Sequence, residues 1–256
     1  MEVNELFSVA GKSVVVTGGS RGIGEMIAEG FVRNGATVLI TARKSEACDA
    51  TAERLGAFGE CASVPADLST AEGREAFATE VDARAPKLHV LVNNAGATWG
   101  APLDEFPESG WDKVLGVNLI GLFELTRRLL PNLRAAASAE DPARVVNIGS
   151  IDGIRIPSTE NYSYSASKAG VHMLTKHLSR RLAPDHVTVN AIAPGPFPSK
   201  MTAFMLDEHE SEVASMVPLG RIGQPSDVAG TALFLSSRAG AYLTGTVIPV
   251  DGGISA

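Results

Sequence analysis

The run Val14-Val15-Val16-Thr17-Gly18-Gly19-Ser20-Arg21-Gly22-Ile23-Gly24 constrains this chain more than any other stretch. A β-branched segment leads straight into spaced glycines, and a helix-like pattern follows over 25–34. That order reads as a strand, a tight turn and the positive end of a helix, which together cradle phosphate. Gly18 lets the turn bend, Gly22 clears room for a pyrophosphate, and Gly24 lets helix and strand pack closely. Ser20 and Ile23 complete the turn. The spacing is G-x-x-x-G-x-G, not the commoner G-x-G-x-x-G.

A chain of 256 residues, 45% of them hydrophobic, has material for one large α/β domain or two small ones. Its net charge is −7, and no Lys/Arg cluster exceeds a pair, which argues against nucleic acid or an anionic membrane as main partner. No uncharged stretch is long enough to insert in a membrane, and the acidic start MEVNELFSVAGKS lacks a signal-like apolar segment. A cytoplasmic setting is expected. Cys48 and Cys61 lack metal or redox spacing and read as reduced thiols. No histidine pair has metal spacing, so no metal is expected.

Strand and helix patterns alternate along the chain. Strands are predicted over 35–41, 61–65, 88–92, 144–150, 187–192 and 245–250, and helices over 45–56, 70–84, 162–182 and 226–236. This pattern predicts a doubly wound parallel sheet. No linker, repeat or low-complexity tract interrupts it, so a single domain over 1–256 is expected. A long helical stretch is predicted over 108–137, kinked or broken at Pro131. Asn118 interrupts its apolar part, either as a satisfied core amide or as a point where the helix opens to hold a water.

The strand ends carry the chemistry. An NAD site would place an acid after the second strand to bind the ribose 2′-hydroxyl, but Thr41 and Ala42 stand there. Arg43 follows, and Arg21 sits in the glycine turn. Both can meet a 2′-phosphate with charge-assisted bonds, so NADP(H) is the expected cofactor; otherwise they are solvated surface arginines. Asp67, beside Leu68, either accepts from the adenine amino group or caps the next helix. Asn94, Ala95 and Gly96 let backbone approach a ligand. Ser150 closes the fifth strand at the edge where ligands sit in such sheets. Tyr164 and Lys168 are four apart and share a helix face. An ammonium beside a phenol favours the phenolate, which suits an acid or base working near neutral pH.

These motifs, together with Pro194-Gly195, Gly220-Arg221 and Asp251-Gly252-Gly253, resemble the short-chain dehydrogenase/reductase family over nearly the whole chain. Within it, the chain is most similar to NADPH-dependent 3-oxoacyl reductases. The resemblance implies a Rossmann-type, seven-stranded parallel sheet with helices on both faces, assembled as a homotetramer. It implies a catalytic tetrad of Asn118, Ser150, Tyr164 and Lys168. It places the cofactor on Gly18, Ser20, Arg21, Gly22, Ile23, Gly24, Arg43, Asp67, Leu68, Asn94, Ala95, Gly96, Tyr164, Lys168, Pro194, Gly195, Phe197 and Ser199. The implied reaction reduces a ketone to a secondary alcohol, foremost a 3-oxoacyl thioester.

Three departures bear on the substrate. Ser150 and Tyr164 lie one position further apart than is usual in the family. The loop between them carries Asp152, Arg155 and Glu160. Ser199 stands where a threonine is usual. A small cyclic, steroid or sugar ketone is therefore a rival substrate, with Arg127-Arg128 and Arg180-Arg181 as candidate patches for an acidic acyl carrier. A non-enzymatic NADP sensor is a further rival, whose mark would be loss of Tyr164 or Lys168. A substrate lid is expected over 197–217, lined by Phe197, Met201, Phe204, Met205 and Leu206, unless that stripe packs on the sheet. Asp207-Glu208-His209-Glu210 reads as a solvated charge run, and His172 as a core or interface histidine. The ending over 239–253 is a candidate subunit interface.

Overall fold

The computed structural model describes residues 2–199 and 210–256. Seven strands form one parallel sheet in the order β3-β2-β1-β4-β5-β6-β7. They are β1 Ser13–Thr17, β2 Thr37–Thr41, β3 Cys61–Ser63, β4 Val90–Asn93, β5 Ala143–Ile148, β6 Val187–Pro194 and β7 Val247–Val250. The strand order reverses between β1 and β4, which opens a crevice at their carboxyl ends. Register is fixed from Ser13 opposite Thr37 to Thr17 opposite Thr41, and from Val14 opposite Val90 to Val16 opposite Val92.

Strand side chains alternate between faces, so each strand feeds two cores. Val14, Val16, Val38 and Ile40 pack with α2 Gly22–Arg33, α3 Ser45–Gly56 and α9 Pro225–Ser236 through Ile27, Phe31, Cys48, Leu55 and Leu235. Val15, Leu39, Leu91 and Val145 face the other way. They pack with α4 Ala71–Arg84, α6 Leu122–Arg128 and α7 Leu130–Ala136 through Phe77, Val81, Leu125 and Leu133. Burial on both faces explains why the central strands read as continuous apolar runs.

Several elements differ from the sequence expectation. The first long helix starts at Gly22 rather than at 25, because the chain enters α2 directly from the glycine turn. The stretch 108–137 is not one helix. It splits into α5 Glu108–Leu115, a π-helical turn Gly116–Gly121, α6 and α7. The break falls at Leu129, and Pro131 sits in the first turn of α7, where a missing N–H costs nothing. Asn118 lies within the π turn, so the helix does open there. The expected helix over 162–182 is present as α8 Tyr162–Leu182. Met201, Phe204, Met205, Leu206 and the run from Asp207 to His209 lie outside the described residues. Among the described residues, no helix is long and apolar enough to cross a membrane.

At the amino-terminal edge of the sheet, the buried Lys12 and Arg144 share the half-exposed Asp141. Lys12 Nζ lies 2.5 Å from Asp141 Oδ2. Arg144, 1% exposed, bonds the other Asp141 oxygen and donates from Nη2 to the Ser237 carbonyl at 3.0 Å.

Candidate active site

The carboxyl ends of β1, β4 and β5 and the start of α8 converge at the crevice. At β1, Thr17 is the organiser. Its Oγ1 accepts the backbone N–H groups of Asn94 and Ala95, both at 2.9 Å. The Asn94 amide donates back to the carbonyls of Thr17 at 2.9 Å and Gly18 at 3.1 Å. A Cβ on Gly24 would lie 2.3 Å from that amide nitrogen, so only glycine lets α2 start this close. Gly18 has φ +65°, the left-handed region open to glycine. Arg21 is the N-cap of α2 and makes no side-chain cap, leaving the first amides of the helix to another acceptor.

The residues present fit a dinucleotide. The α2 amino terminus is cleared by glycines. Arg21 and Arg43 are exposed beside it. Thr41 Oγ1, at the end of β2, is buried without a hydrogen-bond partner. Asp67 does not cap α4. Thr70 does, accepting the Gly73 N–H at 3.0 Å. The Asp67 carboxylate accepts from the Ser69 N–H at 3.0 Å and the Ser69 hydroxyl at 2.6 Å. Burial pushes its pKa up, but these bonds and Arg43 outweigh it and hold the group below its ordinary value. Leu68 is buried beside it, and Ser20 accepts the Thr51 hydroxyl on its carbonyl at 3.1 Å. Ile23 packs against the core as a half-buried residue.

Around the reacting centre, Lys168 Nζ donates to the Ile148 carbonyl at 2.8 Å and sits 5.5 Å from the Tyr164 ring centre. Burial lowers the Lys168 pKa to about 8. Part of Tyr164 is exposed, but burial around its hydroxyl pushes that pKa up to about 12, with a Ser150 hydrogen bond pulling it down and Asp152 adding to the rise. Desolvation is the largest of these influences on the phenol. Asn118 Oδ1 accepts the Ala97 N–H at 2.8 Å, and its Nδ2 donates to the Ala97 carbonyl at 3.0 Å and Ser167 Oγ at 2.9 Å. Opening the π turn thus aims this amide at the segment following Gly96.

Pro194 ends β6, and a Cβ on Gly195 would lie 2.8 Å from Asp251, so the last segment presses on this turn. Ser199 lies against Gly22, whose Cβ would meet the serine Cβ at 3.1 Å. Phe197 takes the alternative left open for this stripe and packs inward, while Met201, Phe204, Met205 and Leu206 lie outside the described residues. It is 2% exposed and belongs to the core, its ring stacked on Gly223, where a Cβ would come within 2.4 Å. Sequence reasoning missed Thr17 and Ser167 as anchors of the site. Both are small hydroxyls whose neighbours in the motifs drew the attention, and their partners lie 77 and 49 positions away. His172 is buried against Gly149 and Gly153, with Nε2 unpartnered. Among the described residues, no group of three or more His, Cys, Asp or Glu is placed to hold a metal.

A crevice at the strand reversal, a glycine-cleared helix start and a Ser–Tyr–Lys cluster define a class, and sequence comparison agrees. The family model described as enoyl-(acyl carrier protein) reductase matches residues 18–255, and the chain belongs to the short-chain dehydrogenase/reductase family. Among individual proteins, the chain is 48% identical over 249 residues to the rhamnolipids biosynthesis 3-oxoacyl-(acyl-carrier-protein) reductase of Pseudomonas aeruginosa, covering 96% of this chain and 97% of that one. The solved P. aeruginosa RhlG/NADP active-site complex superposes with a TM-score of 0.96 at 46% identity, covering both chains fully. Galactitol 2-dehydrogenase (L-tagatose-forming) of Cereibacter sphaeroides is 37% identical, over 99% of this chain and 98% of that one.

Proposed function

We propose that this protein reduces a ketone to a secondary alcohol with NADPH, and that the ketone is a 3-oxoacyl thioester. The observation that carries the reading is the placement of Tyr164 beside Ser150 and one helical turn from Lys168, whose Nζ lies 5.5 Å from the ring centre, at the carboxyl edge of the sheet. Similarity to the rhamnolipid reductase, and the NADP in the RhlG complex, support both the substrate class and the cofactor.

NADPH supplies the hydride when bound. Gly18, Ser20, Gly22, Ile23 and Gly24 would hold its pyrophosphate, Arg21 and Arg43 its 2′-phosphate, and Asp67 and Leu68 its adenine. Asn94, Ala95, Gly96, Pro194, Gly195, Phe197 and Ser199 would line the remainder through backbone and small polar groups. Tyr164 hands its phenolic proton to the ketone oxygen. Ser150 donates a hydrogen bond to the same oxygen and stabilises the charge growing there. Lys168 offers its ammonium to ribose hydroxyls and to the phenolate left behind. Asn118 keeps the 97 backbone in place and leads a water toward Lys168, so that Tyr164 is reprotonated. The site works by fixing carbonyl geometry between these groups. In this reading the enzyme is a cytoplasmic homotetramer, the assembly resting on family analogy alone.

The polar loop with Asp152, Arg155 and Asn161 beside Ser150, and the likeness to a galactitol dehydrogenase, favour a sugar ketone as second reading. The test is NADPH oxidation with an acetoacetyl thioester, a ketohexose and a panel of cyclic ketones. Turnover concentrated on the thioester supports the first reading, and turnover concentrated on the ketohexose replaces it with the second. NADPH binding without oxidation by any carbonyl overturns both in favour of a sensor.

A further inference from the structure

The loop between Ser150 and α8 is long and charged, yet its two ends are tied together. Ser150 Oγ accepts the Asp152 N–H at 3.1 Å, which caps the short helical turn Ile151–Gly153. Asp152 Oδ2 in turn accepts from Asn161 Nδ2 at 3.0 Å. Asn161 is the N-cap residue of α8, and its carbonyl accepts the Ser165 N–H at 3.0 Å. One side-chain pair thus links the residue whose amide holds Ser150 to the residue that opens the helix bearing Tyr164. The residues between, 153–160, include the exposed Ile154 and Ile156 and are bridged to the opposite wall by the Ala101 N–H to the Glu160 carbonyl at 3.2 Å.

We propose that Asp152 and Asn161 are a positioning pair, whose hydrogen bond closes the longer loop and sets the Ser150 hydroxyl against Tyr164. The proposal rests on the reductase reading above. Without the tie, the extra residue between Ser150 and Tyr164 would leave the serine free to drift. A displacement of about 1 Å from a reacting group can cost roughly 100-fold in rate.

The pair also brings a negative charge to the phenol. The groups that act on it are Ser150, whose hydrogen bond favours the phenolate, and Asp152, whose charge disfavours it, with the Lys168 ammonium 5.5 Å from the ring centre. Of the carboxylates, Asp152 is the one that disfavours the Tyr164 phenolate. Reduction needs the protonated phenol, so the rate falls as pH rises through its pKa. Removing the Asp152 charge makes the phenolate easier to form and moves that fall to lower pH.

The experiment compares Asp152→Ala, Asn161→Ala, the double variant and Asp152→Asn in the full chain. Readouts are acetoacetyl thioester reduction, NADPH binding and melting temperature. Each alanine variant is expected to lose about 10- to 100-fold in kcat, with NADPH binding within twofold of wild type. The double variant should be no worse than either single one, since both remove one bond. Asp152→Asn keeps an acceptor for Asn161, so it should recover most of kcat while shifting the alkaline limb to lower pH. Single variants within twofold of wild type, or losses that multiply in the double variant, overturn the proposal. If the alanine variants do not fold, an Asp152→Asn profile superimposable on wild type overturns it. Wild type that binds NADPH but reduces no carbonyl instead overturns the reading beneath it.

Discussion

Two buried lysines at opposite edges of one sheet live under different rules. Lys12, at the amino-terminal edge, is matched by Asp141, which also receives Arg144. Lys168, at the carboxyl edge, donates to the Ile148 carbonyl and, among the described residues, has no carboxylate partner, and burial brings it down to about 8. Burial lowers Lys12 as well, but Asp141 pulls it back up while Arg144 adds to the fall. The lower edge spends its charges on each other. The upper edge keeps donors uncommitted, at a cost in stability, for groups that arrive from outside. Structural and functional charge are thus told apart by whether a carboxylate answers the buried cation.

That contrast yields tests ordered by size. Tyr164→Phe at the upper edge should lower ketone turnover by about 1,000-fold or more while NADPH still binds and the melting temperature holds. Turnover near wild type would remove the upper edge from the chemistry. Asp141→Ala at the lower edge should destabilise the fold by about 2 kcal/mol, a modest figure because Asp141 is half-exposed and water screens it. Turnover per folded molecule should not change. The same stability should fall in acid. The Asp141 carboxyl is held below its ordinary 3.8 by Lys12 and Arg144 against the pull of burial, so its contribution is present above that pH and lost below it.

Arg43→Ala should weaken NADPH binding by about tenfold and leave NADH nearly untouched, since only a 2′-phosphate meets its charge. Equal losses for both cofactors would return Arg43 to the solvated surface. The smallest effect is the most diagnostic. Lys168→Met in the cofactor-free protein should raise stability at pH 7 by about 1 kcal/mol, because a buried charge lacking a counter-ion is removed. Between about pH 8 and 10 the folded lysine has lost its proton while the unfolded one still holds it. Wild type therefore gains stability as pH rises, and the difference should narrow. Lys12→Met should do the reverse and destabilise, since it strips Asp141 of a partner.

Much of the fold was written in local pattern. The alternation of faces along β1, the span of α8 and the glycine turn all follow from neighbours in sequence. The π turn was half legible: Asn118 marked where the helix opens, but nothing local says that Ala97 and Ser167 receive its amide. The Lys12–Asp141 pair spans 129 positions and has no local signature at all. Phe197 read both ways, as a lining or as packing on the sheet, and what decides for packing is a distant Gly223 that makes room for its ring in the core. The Tyr164–Lys168 spacing predicted their proximity, whereas the desolvation of the pair depends on everything packed around it and has no local signature.

The turn that carries Ser150 is flanked by Gly149 and Gly153, and neither has space for a single methyl group. A Cβ at Gly149 would fall 2.1 Å from His172 Nε2, and one at Gly153 would fall 2.7 Å from the α8 backbone. In a saturation library scored for survival, both columns should therefore be nearly blank, although neither glycine has a side chain with which to touch a substrate. An engineer who wants new substrates should randomise the outward stretch between Ile154 and Glu160, and leave that hinge of bare backbone alone.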